Sequence, residues 1–95
     1  MNLLNMEVRA DIVVEGLVQG VGYRYFVARH AERYHLSGLV RNQPDGSVRV
    51  VVEGDRSSVE NLVSDLKVGP RSAQVRDLRL TWDTPRHDLH GFEIQ

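Results

Sequence analysis

The sequence contains no cysteine, and this absence excludes several kinds of chemistry at once. The chain can form no disulfide, offers no thiolate nucleophile and has no cysteine ligand for a metal. It also lacks any run of the roughly 18 apolar residues that a membrane span requires. Residues 1–6 are too short for a signal peptide and lack its basic start. We therefore expect a loose tail at residues 1–6, no membrane partner and a cytoplasmic location.

An excess of charge of either sign is missing as well. Twelve basic residues stand against 13 acidic ones, which leaves a formal net charge of −1. No basic tract therefore favours a nucleic acid or an anionic membrane surface as a partner. The length of 95 residues and the hydrophobic content of 41% predict one globular domain over residues 1–95, which we expect to be a monomer.

The most informative feature present is a glycine loop between two regular patterns. Alternating apolar residues from Val8 predict a strand, and helical spacing from Tyr23 predicts a helix, while Gly20 and Gly22 lie between them. Glycine allows a tight turn and a close approach to a ligand, and a helix start offers unpaired N–H groups and a positive dipole end. Arg24 adds a planar, permanently charged fork that matches phosphate or carboxylate. The junction therefore predicts a pocket for a small anion.

The remaining patterns predict five further elements. Helix one should cover residues 22–35 with Gly38 as its stop. A hairpin with a turn at Gln43-Pro44-Asp45-Gly46 should join residues 37–42 to a strand that begins at Val48 and is broken by Gly54. Ser57 and Glu60 have the spacing of a capping box for helix two, which Gly69 and Pro70 should end. A long strand over residues 73–82, with an irregularity between Val75 and Leu78, and a short strand containing Phe92 and Ile94 complete the chain.

This order is β-α-β-β-α-β with a short fifth strand at the C-terminus. It predicts an α+β protein of the ferredoxin-like, split β-α-β arrangement, with two helices on one face of an antiparallel sheet. Because that fold carries many functions, the function must be argued from the site. The four histidines, His30, His35, His87 and His90, offer no compact set of three ligands, so we expect neither a metal nor a cofactor.

Two segments together resemble the signatures of the acylphosphatase family. The first is Gly16-Leu17-Val18-Gln19-Gly20-Val21-Gly22-Tyr23-Arg24, and the second is Gly38-Leu39-Val40-Arg41-Asn42 followed by Gly46-Ser47-Val48. The resemblance extends from about Val8 to Ile94, with Tyr23 where the family usually has phenylalanine and Leu39 where it usually has an aromatic residue. Two long signatures in the right order are far more specific than a single glycine loop.

The resemblance implies a metal-independent hydrolase that splits a small acyl phosphate into a carboxylate and inorganic phosphate. It implies that Arg24 binds the phosphate and that Asn42 positions the attacking water. It also implies a phosphate cradle made by the backbone N–H groups of Gln19, Gly20, Val21, Gly22 and Tyr23.

Two binding functions compete with this interpretation. An RNA-binding sheet would carry stacking aromatics on its open face, and the positions expected there supply none. Those positions are Arg9, Asp11, Val13, Arg49, Val51 and Glu53. A non-catalytic ferredoxin-like module that holds a small anion such as carbamoyl phosphate remains the main alternative, and turnover distinguishes it from the enzyme.

Overall fold

A computed structural model describes residues 6–95 of the protein. The elements follow one another as β1 (Glu7–Leu17), α1 (Tyr23–Arg33), β2 (Ser37–Asn42), β3 (Val48–Asp55), α2 (Arg56–Val68), β4 (Gln74–Asp83) and β5 (Phe92–Ile94). The predicted loose tail lies outside the described residues except for Met6, whose carbonyl oxygen accepts a hydrogen bond from the N–H of Arg56.

The five strands form one sheet in the order β4-β1-β3-β2-β5. The pairs β4/β1, β1/β3 and β3/β2 are antiparallel, whereas β5 runs parallel to β2. The ferredoxin-like arrangement predicted from the sequence is therefore confirmed, with a parallel strand added at one edge. In the strand register, Val14 of β1 pairs with Val48 of β3, which pairs in turn with Asn42 of β2. These three residues therefore form a row across one end of the sheet.

One core fills the space between the sheet and the two helices. Every second residue of β1 and β3 faces it, as the alternating pattern predicts, and each helix contributes the buried stripe of an amphipathic segment. Its fully buried members include Ala10, Ile12, Val14, Val48, Val50, Val52, Val27, Ala31, Val59, Leu62 and Leu66. These side chains hold the end of β1 and the start of α1 in a fixed relation.

The bulge expected in the long fourth strand is confirmed. Glu15 pairs with Asp77 and Gly16 pairs with Val75, so Arg76 is an extra residue in β4. A Cβ at Gly16 would collide with the carbonyl oxygen of Gln74. Gly16 therefore permits the close contact of two backbones at the bulge.

Two expectations about glycines were wrong. Helix α1 ends at Arg33, and His35, with φ of 58°, takes the left-handed position that the sequence pattern assigned to glycine. Gly38 instead lies inside β2, where a Cβ would collide with the carbonyl oxygen of Val51. Gly54 does not break β3, which continues to Asp55, and it leaves room for the side chain of Leu36.

The predicted capping box of helix two was also wrong. The helix begins at Arg56 with Asp55 as its N-cap and without a side-chain cap hydrogen bond. Ser57 is therefore already inside the first turn, because Asp55, a residue type favoured at N-caps, takes that position two residues earlier. Its end is as predicted, with Gly69 as the C-cap at φ of 70°.

Candidate active site

A small cavity lies where the loop after β1 meets the end of β2 and the end of β5. It has a volume of about 210 Å³ and is lined by Val18, Gly20, Gly22, Tyr23, Arg24, Tyr25, Asn42 and Ile94. Pockets for drug-sized ligands usually span roughly 300–1,000 Å³, so this cavity suits a smaller molecule. It brings together the two side chains singled out from the sequence, Arg24 and Asn42, although they are 18 positions apart in the chain.

The backbone of the loop lines this cavity at Gly20 and Gly22. Gly20 and Gly22 have φ of 74° and 77°, and a Cβ at either position would meet no atom within 4 Å. These glycines are therefore required by the backbone conformation and not by crowding. The N–H groups of residues 20–25 donate to no acceptor among the described residues, since the first helical bond of this region runs from Phe26 N to Gly22 O. They remain free for solvent or an anion.

Arg24 is the positive charge of the cavity. It lies in the first turn of α1, where the loop amides and the helix dipole also favour an anion. Its Nη1 donates a hydrogen bond of 2.6 Å to the main-chain oxygen of Gln95. This contact uses one of the five N–H donors of the guanidinium and connects the arginine to the end of β5.

Asn42 reaches the cavity from the last position of β2. Its Oδ1 is buried and accepts no hydrogen bond from any described residue. A buried amide oxygen without a partner is costly, so in a native structure it needs a reason such as a bound water or a catalytic role. Asn42 can both donate and accept, which suits it to hold a water molecule beside a bound anion.

Gln19 contributes in a way that the sequence did not reveal. Its Nε2 donates to the carbonyl oxygens of Gln43 and Ser47, at 2.8 and 2.9 Å. These acceptors lie in the β2–β3 turn, directly after Asn42. The side chain of Gln19 therefore braces the glycine loop against the hairpin that carries Asn42.

The turn itself is held by Asp45. Its Oδ1 accepts hydrogen bonds from the hydroxyl and the N–H of Ser47, which lower the pKa of the Asp45 carboxyl. The turn predicted at Pro44, Asp45 and Gly46 is thereby confirmed. Since Ser47 is also the acceptor for Gln19, the turn and the glycine loop form one connected unit.

Val21 lies in the loop and Tyr23 is the first residue of α1, and both side chains pack in or against the core. The Tyr23 ring is buried in the core, its hydroxyl donates to the carbonyl oxygen of Leu66 at 2.7 Å, and burial raises its pKa well above the usual value. Val21 does not line the cavity, and its carbonyl oxygen accepts a hydrogen bond from the Ser72 hydroxyl. Tyr23 therefore lines the cavity while its hydroxyl is used in the core.

Three residues of the cavity were missed by the sequence analysis. Val18 is buried, whereas Tyr25 is 62% exposed and Ile94 is 46% exposed. The position of Tyr25 directly after Arg24 could have identified it. Nothing in the local sequence connects Ile94 to the loop, because only the parallel pairing of β5 with β2 brings it there.

From the sequence we expected the four histidines to form no metal site. Within residues 6–95 no three His, Asp or Glu side chains are grouped as metal ligands would be. His30 packs against the Phe26 ring, with its Nδ1 2.8 Å from the carbonyl oxygen of Phe26.

Neither helix of the described region is long and apolar enough to cross a membrane.

Comparison with known sequences gives a consistent result. The sequence model of the family described as "Acylphosphatase" matches residues 10–94. The acylphosphatase of Anaeromyxobacter dehalogenans is 46% identical over 88 residues, which cover 93% of this chain and 95% of that protein.

Solved structures agree with the sequence match. The crystal structure of acylphosphatase from Bacillus subtilis superposes with a TM-score of 0.90 at 35% identity, covering 93% of this chain and 98% of that one. A second similar structure is full-length HypF in its phosphate- and nucleotide-bound form, with a TM-score of 0.83 and 25% identity. The match covers 95% of this chain but only 12% of HypF.

Proposed function

Since this chain belongs to the acylphosphatase family, we propose that it hydrolyses the carboxyl–phosphate bond of acyl phosphates to a carboxylate and inorganic phosphate. The observation that carries the proposal is the convergence of three groups on one small cavity. These groups are the free loop amides, the Arg24 guanidinium and the buried amide of Asn42.

The loop amides and Arg24 hold the phosphate in this proposal. Phosphoryl transfer needs mostly positioning and charge stabilisation, because negative charge spreads over the equatorial oxygens in the transition state. Fixed amide dipoles and a guanidinium supply both without reorganising during the reaction. An acyl phosphate is already activated, since the departing carboxylate is a stable anion.

Asn42 positions the attacking water. The water oxygen bonds to phosphorus while the bond between phosphorus and the carboxylate oxygen breaks, and the carboxylate leaves with the electron pair. The proton of the water passes to a phosphate oxygen, because no histidine or carboxylate of the described residues lines the cavity and Asn42 is too weak a base. A basic limb in the pH–rate profile that disappears when a histidine or carboxylate is replaced would contradict this route.

The test is release of phosphate from benzoyl phosphate by the purified chain and four variants. Arg24→Ala and Asn42→Ala should each lower kcat/KM by about 10²–10³ or more, the size of loss typical when a fixed donor is removed. Arg24→Lys should also be poor, because a point charge does not reproduce the fork. Arg33→Ala, an exposed arginine near the end of the same helix, is the matched control and should retain activity.

Two results would count against the proposal. Full activity in Arg24→Ala and Asn42→Ala would show that the assigned cavity is not where the reaction occurs. Binding of phosphate without turnover of any acyl phosphate by the parent chain would favour the non-catalytic module.

A further inference from the structure

Two apolar side chains stand exposed at the cavity that holds Arg24 and Asn42. Tyr25 is 62% exposed and Ile94 is 46% exposed. The large apolar residues exposed among residues 6–95 are Met6, Leu17, Tyr25, Val68, Trp82 and Ile94. Two of these six residues, Tyr25 and Ile94, therefore line one small cavity, although they lie far apart in the sequence.

Their neighbours place these side chains beside the anion-binding groups. Tyr25 follows Arg24 on α1, and Ile94 precedes Gln95, whose main-chain oxygen accepts the hydrogen bond from Arg24. Ile94 is fixed by its pairing with Val40 of β2. The guanidinium of Arg29 lies 5.7 Å from the centroid of the Tyr25 ring, a cation–π distance that restrains the ring.

We infer that Tyr25 and Ile94 form the wall that contacts the acyl group of the substrate and selects aromatic or branched apolar acyl phosphates over acetyl phosphate. This inference rests on the proposed function. The acyl carbon is joined to phosphorus through a single oxygen, so the acyl group must lie next to the bound phosphate. An apolar acyl group there removes its own surface and that of Tyr25 and Ile94 from water, whereas an acetyl group covers little of either.

The experiment compares kcat/KM for benzoyl phosphate with kcat/KM for acetyl phosphate in each variant. Dividing the variant's ratio by that of the wild type cancels the different intrinsic reactivities of the two substrates. Tyr25→Ala and Ile94→Thr should each lower the ratio by about tenfold, the discrimination that a small apolar contact provides. Tyr25→Phe keeps the ring and should retain the wild-type ratio. Val68→Ala removes an exposed apolar side chain from α2, does not line the cavity and should also retain it.

The outcomes separate this inference from the proposed function. An unchanged ratio in Tyr25→Ala and Ile94→Thr, or equal losses with both substrates, overturns the inference and leaves the hydrolase intact. Failure of the wild type to hydrolyse either substrate overturns the proposed function and the inference with it. Inhibition by inorganic phosphate, measured in every variant, checks that the phosphate end of the cavity is preserved.

Discussion

Gly22 sets the direction of the loop amides by adopting φ of 77° and ψ of 17° at the start of α1. Alanine in this left-handed region costs roughly 1–2 kcal/mol, although its Cβ would meet no atom within 4 Å here. Relief of the strain would rotate the neighbouring amides away from the cavity. We predict that Gly22→Ala loses about 1–2 kcal/mol in the free energy of unfolding and at least about tenfold in kcat/KM.

Gly46→Ala is the matched control for Gly22→Ala. It lies in the β2–β3 turn with φ of 94°, and a Cβ there also meets nothing within 4 Å. Gly46→Ala should therefore show a similar loss in urea unfolding while the hydrolysis of benzoyl phosphate is largely retained. Equal activity in both variants would mean that the orientation of the Gly22 region does not matter for the reaction.

At the scale of the elements, Tyr23 joins the start of α1 to the end of α2. Its hydroxyl satisfies the carbonyl of Leu66, one of the last four carbonyls of α2, which have no partner within the helix. We predict that Tyr23→Phe destabilises the protein by about 1–2 kcal/mol, because this buried acceptor would be left unsatisfied. Tyr25→Phe removes an exposed hydroxyl from the same helix and should not change thermal or urea unfolding. Equal stability of the two variants would contradict this role for Tyr23.

The loop of residues 84–91 is held over the open face of the sheet by Glu53. This carboxylate is only 8% exposed and accepts hydrogen bonds from the side chain of Arg9 and from the N–H groups of Arg86 and His87. Burial alone would raise the pKa of Glu53, but these donors together lower it below its usual value. The loop leads directly into β5, so Glu53 helps to place the strand that carries Ile94.

This lowered pKa predicts how stability depends on pH. Because the folded pKa lies below the unfolded value near 4.5, the stabilisation by Glu53 is complete above that value and is lost as the pH falls through the folded pKa. We predict that Glu53→Gln costs about 2 kcal/mol at pH 7, and that its deficit shrinks as the pH falls toward 3.

Urea unfolding of both proteins from pH 7 to pH 3 measures the difference. Glu60→Gln is the control, since Glu60 makes an exposed ion pair with Arg56 at 3.4 Å, a contact worth only about 0.5 kcal/mol. A deficit for Glu53→Gln that stays constant over this pH range would contradict the role assigned to the carboxylate.

At the scale of the whole molecule, the sheet has two different edges. The β4 edge carries a bulge and several charged residues, including Arg76, Asp77 and Arg79, and the β5 edge is only 3 residues long. Charges, bulges and short edge strands all discourage pairing between copies of a chain. They support the prediction of a monomer, which stays a prediction.

Much of this arrangement could be predicted from the sequence because local patterns determine it. Alternation in β1 and β3, the turn at Asp45 and the helix stop at Gly69 are short-range signals, and all are confirmed. The prediction for Gly38 was wrong, because in the sequence a glycine required by a close contact between strands looks the same as a glycine that ends a helix.

The candidate site was only partly predictable, because local patterns determine some of its residues and long-range strand pairing places the others. The sequence pattern indicated Arg24 and the loop glycines because they lie on one continuous segment, and the structure brings Asn42 beside them. The bracing by Gln19 and the position of Ile94 depend on the pairing of distant strands, which no local pattern records.

The most direct test of the central claim is a titration with inorganic phosphate followed by the backbone amide resonances of the ¹⁵N-labelled protein. We expect the largest shifts at residues 20–25 and at the side-chain N–H of Arg24. Arg24→Ala should weaken phosphate binding at least about tenfold, while the resonances of the variant far from the cavity stay unchanged. Largest shifts at Arg41 or Arg49 on the other face of the sheet, or binding that Arg24→Ala leaves unchanged, would contradict the central claim.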